Sequence, residues 1–311
     1  MTYPALIIAR QSARFLFRER TIALLSGLFF ALVLLSAYLG WSATTTVNAI
    51  YLKVAAFLQS TGKPVPPNPV HDISPLSLLR NMSTYVMLIG SLAAINVGHQ
   101  LVALDRRSGI ISLIGVRPIS PAIYAKGKIG ALILVLSVLM GFAMVVSVLS
   151  FLALPEFRLH SDGWIKLVGF FGLSALYMVL FGLIGIAVTA RVRTQSVGLM
   201  VPVTLWLALT FILPTLTANI HPTASLNPVI AMAPPPDAAF FTFTGWALGP
   251  VSLSQAYTWV SAGLLDFRPE GAAMRSAISP MLSLVLATVI AIWFAVRGLT
   301  GMDRSRGDFD A

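Results

Sequence analysis

The chain has 311 residues, of which 57% are hydrophobic and only 10% charged, with a mean hydropathy of +0.85; a soluble globular domain carries roughly 25% charged residues, so this composition suits lipid as the solvent. A formal charge of +10 would fit nucleic acid only if the cations gathered on a water-exposed domain, and no such domain is visible, so nucleic acid is not an expected partner. Cysteine is absent, which excludes disulfides, zinc–thiolate sites, iron–sulfur clusters and cysteine nucleophiles.

In chain order, Met1 to Arg20 carries Arg10, Arg14, Arg18 and Arg20 and no continuous apolar core, so it does not read as a cleavable signal. Arg10, Arg14 and Arg18 recur every four residues, which places them on one stripe of a helix with Ile8, Phe15 and Leu16 on the other side. The pattern predicts an interfacial helix whose arginines snorkel toward anionic lipid, with contact to a cytoplasmic partner as a second reading. Six apolar runs follow that approach or exceed the roughly 20 residues needed to cross about 30 Å of hydrocarbon: Thr21–Trp41, Asn81–Leu104, Ile129–Leu154, Trp164–Ala190, Gln195–Thr217 and Ala277–Val296. They are continuous and rich in Leu, Ala, Val and Gly, which predicts an all-α membrane domain and not the short alternating segments of a barrel.

The connections differ in character. Ser42–Arg80 holds a helix-compatible stretch, Val47–Gln59, then Pro64, Pro66, Pro67 and Pro69, which predict an extended path in an outer cap. Ala218–Ser276 is apolar, aromatic and broken by Pro222, Pro228, Pro234, Pro235, Pro236 and Pro250, a composition that suits short re-entrant or interfacial helices before the last span. The rival reading runs a seventh span through Phe240–Val260, which would move the basic tail to the outer side. With six spans and the N-terminus inside, fourteen of the twenty-one Lys and Arg fall on the inner side, so both termini are expected in the cytoplasm of a cell (inner) membrane protein.

The segment Asp105–Lys128 is too short and broken to cross a membrane. Gly109 can end the second helix, Ile110–Val116 can make about two turns and Pro118 stops them, so a stubby apolar helix framed by Arg106, Arg107, Arg117 and Lys126 is presented on the inner side. Such a helix lies on lipid or docks in a partner's groove. At this point the chain resembles the permease subunits of ABC transporters of the ABC-2 class, and among them the nitrous-oxide-reductase maturation type. Gly109, Ile111, Leu113, Ile114, Arg117, Pro118, Ile119, Ser120, Gly127 and Lys128 fall at the spacing of that family's loop, with Ile110 in place of its usual Thr and Pro121 in place of its Arg. Leu226-Asn227-Pro228 is similar to the family's Asn-Pro element.

The resemblance implies a coupling helix made by Gly109, Ile110, Ile111, Leu113, Ile114, Arg117 and Pro118, seated on a separate cytoplasmic ABC ATPase that binds ATP and Mg. It also implies a second permease copy or a homologue, an exporting direction, and no catalytic residue or cofactor in this chain. The sequence itself carries no phosphate-binding Gly-x-x-x-x-Gly-Lys-Ser/Thr loop: Gly62-Lys63 is followed by Pro64 and Gly127-Lys128 by Ile129.

Asn96, His99 and Gln100 share one face of the second span, and two readings stand for them, a cargo path or interhelical hydrogen bonding. Arg80, at the outer end, either snorkels or meets an acid or an anionic cargo. The methionines are scattered and His71, His99, His160 and His221 have no ligand spacing, so no metal site is expected. Two rival classes remain. An intramembrane enzyme would need charge at depth, and the span cores hold no Asp, Glu, Lys or Arg; a carrier without an ATPase would show related broken-helix halves, and no internal repeat is visible.

Overall fold

Every regular element in the computed structural model, which describes residues 3–68, 74–107, 119–152, 161–218, 239–267 and 276–302, is helical. Six helices are long and apolar enough to cross a membrane. Helix α1 is Tyr3–Arg18 and α2 is Arg20–Ser60. Helix α3 opens with a 3-10 turn, Pro75–Leu79, and continues through Arg80–Tyr85, a π-helical turn at Val86–Gly90, and Ser91–Arg107. Then come α4 (Pro121–Leu152), α5 (Ser161–Thr189), and α6, whose first part, Gln195–Leu207, leads through a π-turn at Ala208–Ile212 into Leu213–Ala218. Two short helices, α7 (Ala239–Leu248) and α8 (Leu253–Leu264), precede the last span, α9 (Pro280–Thr300).

Two sequence expectations change. Trp41 ends the apolar run but not the helix: α2 continues unbroken to Ser60, so its 41 residues extend about 60 Å at 1.5 Å each, twice the hydrocarbon thickness. Thr44 and Thr45 donate their hydroxyls to the carbonyls of Gly40 (3.0 Å) and Trp41 (2.6 Å), one turn back, so polar residues are absorbed without ending the helix. The proline-rich stretch then returns along it, with Tyr51 donating to the Pro66 carbonyl at 2.9 Å and Asn68 to Asn48 at 2.9 Å. The second change is at Ser120, which precedes α4; the helix begins at Pro121, eight residues before the apolar run at Ile129. The Ser120 hydroxyl accepts from Ile123 N at 3.3 Å and Pro121 occupies the first helical position, where its missing N–H costs nothing. Lys126 and Lys128, expected in a loop, are therefore helical. No continuous helix runs through Phe240–Val260, because the chain breaks at Gly249–Ser252 between α7 and α8.

Helix α5 stands at the centre, against α3, α4, α6, α8 and α9, while α1 lies along α4. Lipid gives spanning helices no hydrophobic reason to associate, so close packing and hydrogen bonds must hold them. Glycine provides that at the α3–α5 crossing. A Cβ on Gly98 would collide with the Gly182 carbonyl, and one on Gly185 would sit 2.6 Å from the Ile95 carbonyl, so the two backbones touch. Outward faces are apolar: Leu134, Val138 and Phe142 on α4 and Leu286, Val289 and Ile290 on α9 are exposed.

Candidate functional site

The loop 108–118, with Gly109, Ile110, Ile111, Leu113, Ile114, Arg117 and Pro118, lies outside the described residues, as does Leu226–Pro228. Both feet of that loop are described. At the end of α3, the Asp105 carboxylate meets the Lys128 ammonium at 2.7 Å and accepts from the Tyr124 hydroxyl at 2.8 Å. Lys128 also donates to the Ser12 hydroxyl of α1 at 3.1 Å, and its ammonium stands 5.5 Å above the Tyr124 ring. The pair is shut away from water, with side chains 3% and 14% exposed for Lys128 and Asp105. A lysine this buried persists only when paired and hydrogen-bonded, and here it is both.

Small residues bring α1 close enough for this. Ala5, Ala9, Ser12, Ala13 and Leu16 form its buried stripe, and Gly127 of α4 faces it so closely that a Cβ there would lie 2.6 Å from Ile8 Cγ2. Arg10, Arg14 and Arg18 point away, on the exposed side. Of the apolar residues expected opposite them, Leu16 is buried and Ile8 half-buried, but Phe15 is exposed, along with Leu6 and Phe17. The helix thus has a protein-facing alanine stripe that the arginine spacing alone does not reveal.

The next residue, Arg106, reaches the other way. It donates to the carbonyls of Val192 (2.6 Å) and Ala190 (3.3 Å), capping the corner between α5 and α6. Asp105 and Arg106 therefore bind the base of α3 to α1 and α4 on one side and to the α5–α6 corner on the other.

Asn96, His99 and Gln100 do not act as one face. His99, fully buried, points to the same corner: its Nδ1 lies 3.0 Å from the Thr189 hydroxyl, which in turn donates to the Gly198 carbonyl at 3.1 Å. Pro202 explains the arrangement. Having no N–H, it leaves the Gly198 carbonyl without its i+4 donor, and Thr189 supplies one. With its proton given to Gly198, Thr189 accepts from His99 Nδ1–H. His99 thus makes an interhelical hydrogen bond, from α3 to α5. Asn96 Oδ1 and Gln100 Oε1, by contrast, are buried with no hydrogen-bond partner.

At the opposite end, Lys166 bridges Asp162 (3.1 Å) and Asp266 (3.0 Å), Ser74 donates to Asp266 at 3.3 Å, and the Arg80 guanidinium lies 5.8 Å above the Phe267 ring. These contacts fasten the end of α8 to the starts of α3 and α5. Deeper in, α8 meets both π-turns: Thr258 Oγ1 is 3.6 Å from Met87 Sδ in α3, and Ser254 donates to the Leu209 carbonyl in α6 at 3.0 Å. The α6 π-turn precedes Pro214, whose ring cannot tolerate a regular turn over Thr210. The sequence analysis missed this site; Pro214 inside the fifth apolar run is the signal that could have found the π-turn, and no local pattern marks α8 as the element that rests on it. Among the described residues no group of three or more His, Asp or Glu gathers to hold a metal; His71, His160 and His221 lie outside them.

No family model matches this chain, and no curated protein matches it. Fold and composition define an all-α protein with six helices able to cross a membrane.

Proposed function

We propose that the chain is the permease subunit of an ABC-2-type ATP-binding cassette exporter, working with a separate cytoplasmic ATPase that binds ATP and Mg and with a second permease copy or a homologue. The basic end of the bundle is the cytoplasmic end, both termini lie there in a cell (inner) membrane, and loop 108–118 is the coupling element. One observation carries this reading: both feet of that loop are fastened, through Asp105, Lys128, Tyr124 and Ser12, to α1 and α4, and through Arg106 to the α5–α6 corner. A loop that receives force from a motor needs such roots, whereas a loop resting on lipid does not. Asn96 and Gln100, with unpartnered amide oxygens, are the residues of α3 that suit a cargo path. A mostly uncharged interior favours an amphipathic cargo over a free ion.

The test is purification of the full chain from its native membranes, identification of any co-purified protein with a phosphate-binding loop, and ATP hydrolysis by the complex in nanodiscs. Ile111→Asp is expected to insert normally and lose the ATPase. Transport by the purified chain alone, without ATP, would refute the proposal in favour of an independent carrier.

A further inference from the structure

A cavity of about 610 Å³ opens between α5, α6 and α9, walled by Leu180, Ile184, Leu205, Leu286, Ala287 and Ile290. From Ser283 to Phe294 on α9 it runs eleven residues, about 16 Å, close to the depth of one leaflet of a hydrocarbon core about 30 Å thick. Its walls are apolar apart from the Ser283 hydroxyl at the far end and the basic end, where Arg191 closes it.

That end holds two cations on adjacent aromatic rings. The Arg191 guanidinium stands 5.5 Å above Phe294 and the Arg297 guanidinium 5.0 Å above Trp293, and the two rings meet edge to face with centroids 4.8 Å apart. Arg191 spends one N–H on the Ala187 carbonyl (2.6 Å) and another on Phe294 (2.7 Å), which leaves three of its five donors. Both arginines are exposed, and among the described residues neither is paired with a carboxylate. Partial burial, and then the charge of Arg297, hold the Arg191 guanidinium below its ordinary pKa.

We propose that this groove is a binding site for a bilayer phospholipid, with one acyl chain lying between α5, α6 and α9 and an anionic headgroup phosphate bridging Arg191 and Arg297. Charge complementarity selects this occupant: the groove offers an apolar slot one leaflet deep with cations only at the mouth, and a basic pocket between spanning helices is where anionic headgroups are recognised. The inference depends on the membrane position of the helices and not on the ATPase reading.

The experiment is native mass spectrometry of the full chain released from nanodiscs of equimolar phosphatidylglycerol and phosphatidylcholine. The unaltered chain is expected to retain phosphatidylglycerol preferentially. Arg191→Gln with Arg297→Gln is expected to lower that retention about thirty-fold. Arg297→Gln alone, which breaks no backbone hydrogen bond, is expected to give an intermediate loss, and Ala287→Phe, which fills the slot, should reduce retention of both lipids. Equal retention of the two lipids, or retention unchanged by the arginine substitutions, overturns the proposal. So does phosphatidylglycerol binding seen only in a chain ended at Met302, which would assign the arginines to the tail carboxylates Asp303, Asp308 and Asp310. Efficient disulfide formation between copies carrying Leu286→Cys, readable because the chain has no cysteine of its own, would put a second copy in the groove and likewise overturn it.

Discussion

Replacing Lys128 by Met removes the ammonium that Asp105 meets at 2.7 Å and keeps most of the apolar stem. What remains is a carboxylate 14% exposed, with the Tyr124 hydroxyl as its other described donor. Breaking one side of a buried ion pair costs about 3–5 kcal/mol, and the partial exposure of Asp105 puts this case near the lower end, about 3 kcal/mol. Removing the carboxylate as well, in Asp105→Asn with Lys128→Met, eliminates the stranded charge and is expected to return more than half of that loss. Thermal unfolding in nanodiscs, followed through the six tryptophans, measures all four corners of the cycle. A Lys128→Met chain as stable as the unaltered one, or a double variant no better than Lys128→Met, would refute the account of a buried, mutually dependent pair.

Gly98→Leu is expected to abolish the folded state, because any Cβ there meets the Gly182 backbone, whereas Gly141→Val, at a position with nothing within 4 Å, should leave yield and melting unchanged; size-exclusion chromatography of solubilised protein separates the two outcomes. Thr189→Val removes the donor to the Gly198 carbonyl and the hydroxyl that His99 Nδ1 meets, and should cost about 1–3 kcal/mol, while adding Pro202→Ala restores an N–H for Gly198 and recovers part of the loss in the same melting assay. Cysteines at Met87 and Thr258, whose native side chains approach to 3.6 Å, are expected to be joined by a short reducible thiol cross-linker between α3 and α8; under the proposed function the cross-link stops ATP-driven transport, reduction restores it, and full transport by the cross-linked protein would show that α8 need not move on the π-turn.

The spans were legible because crossing lipid demands a long apolar run, and that demand is written locally. Helix ends were not. Thr44 and Thr45 lower hydropathy without breaking α2, since each hydroxyl finds its acceptor on its own helix. Lys128 was placed at the end of the Asp105–Lys128 loop, and its pairing with Asp105 at the other end was not legible because it depends on α4 starting at Pro121 and on α1 lying against Gly127. The usable signal was the spacing of Ala5, Ala9 and Ala13, a small-residue stripe that invites close approach and runs beside the more conspicuous Arg10, Arg14 and Arg18. His99 was grouped with Asn96 and Gln100 by helical spacing, yet Pro202, on another helix, decides its role by freeing the carbonyl that orients Thr189.

Backbone contact at Gly98, Gly182 and Gly185 leaves α3 and α5 little freedom to slide, so a displacement at the foot of α3 moves the two together. Asp105 and Arg106 distribute that displacement, one toward α1 and α4, the other toward the α5–α6 corner. At the far end the same helix pair meets α8, and there the regular hydrogen-bond ladder is already relaxed, in α3 at Val86–Gly90 and in α6 at Ala208–Ile212. A π-turn is a register defect that a helix can tighten or shift at low cost. Under the proposed function, force entering at the loop is carried by a stiff pair of helices and absorbed beneath α8, so the gate belongs at the two π-turns and not at the buried, hydrogen-bonded His99.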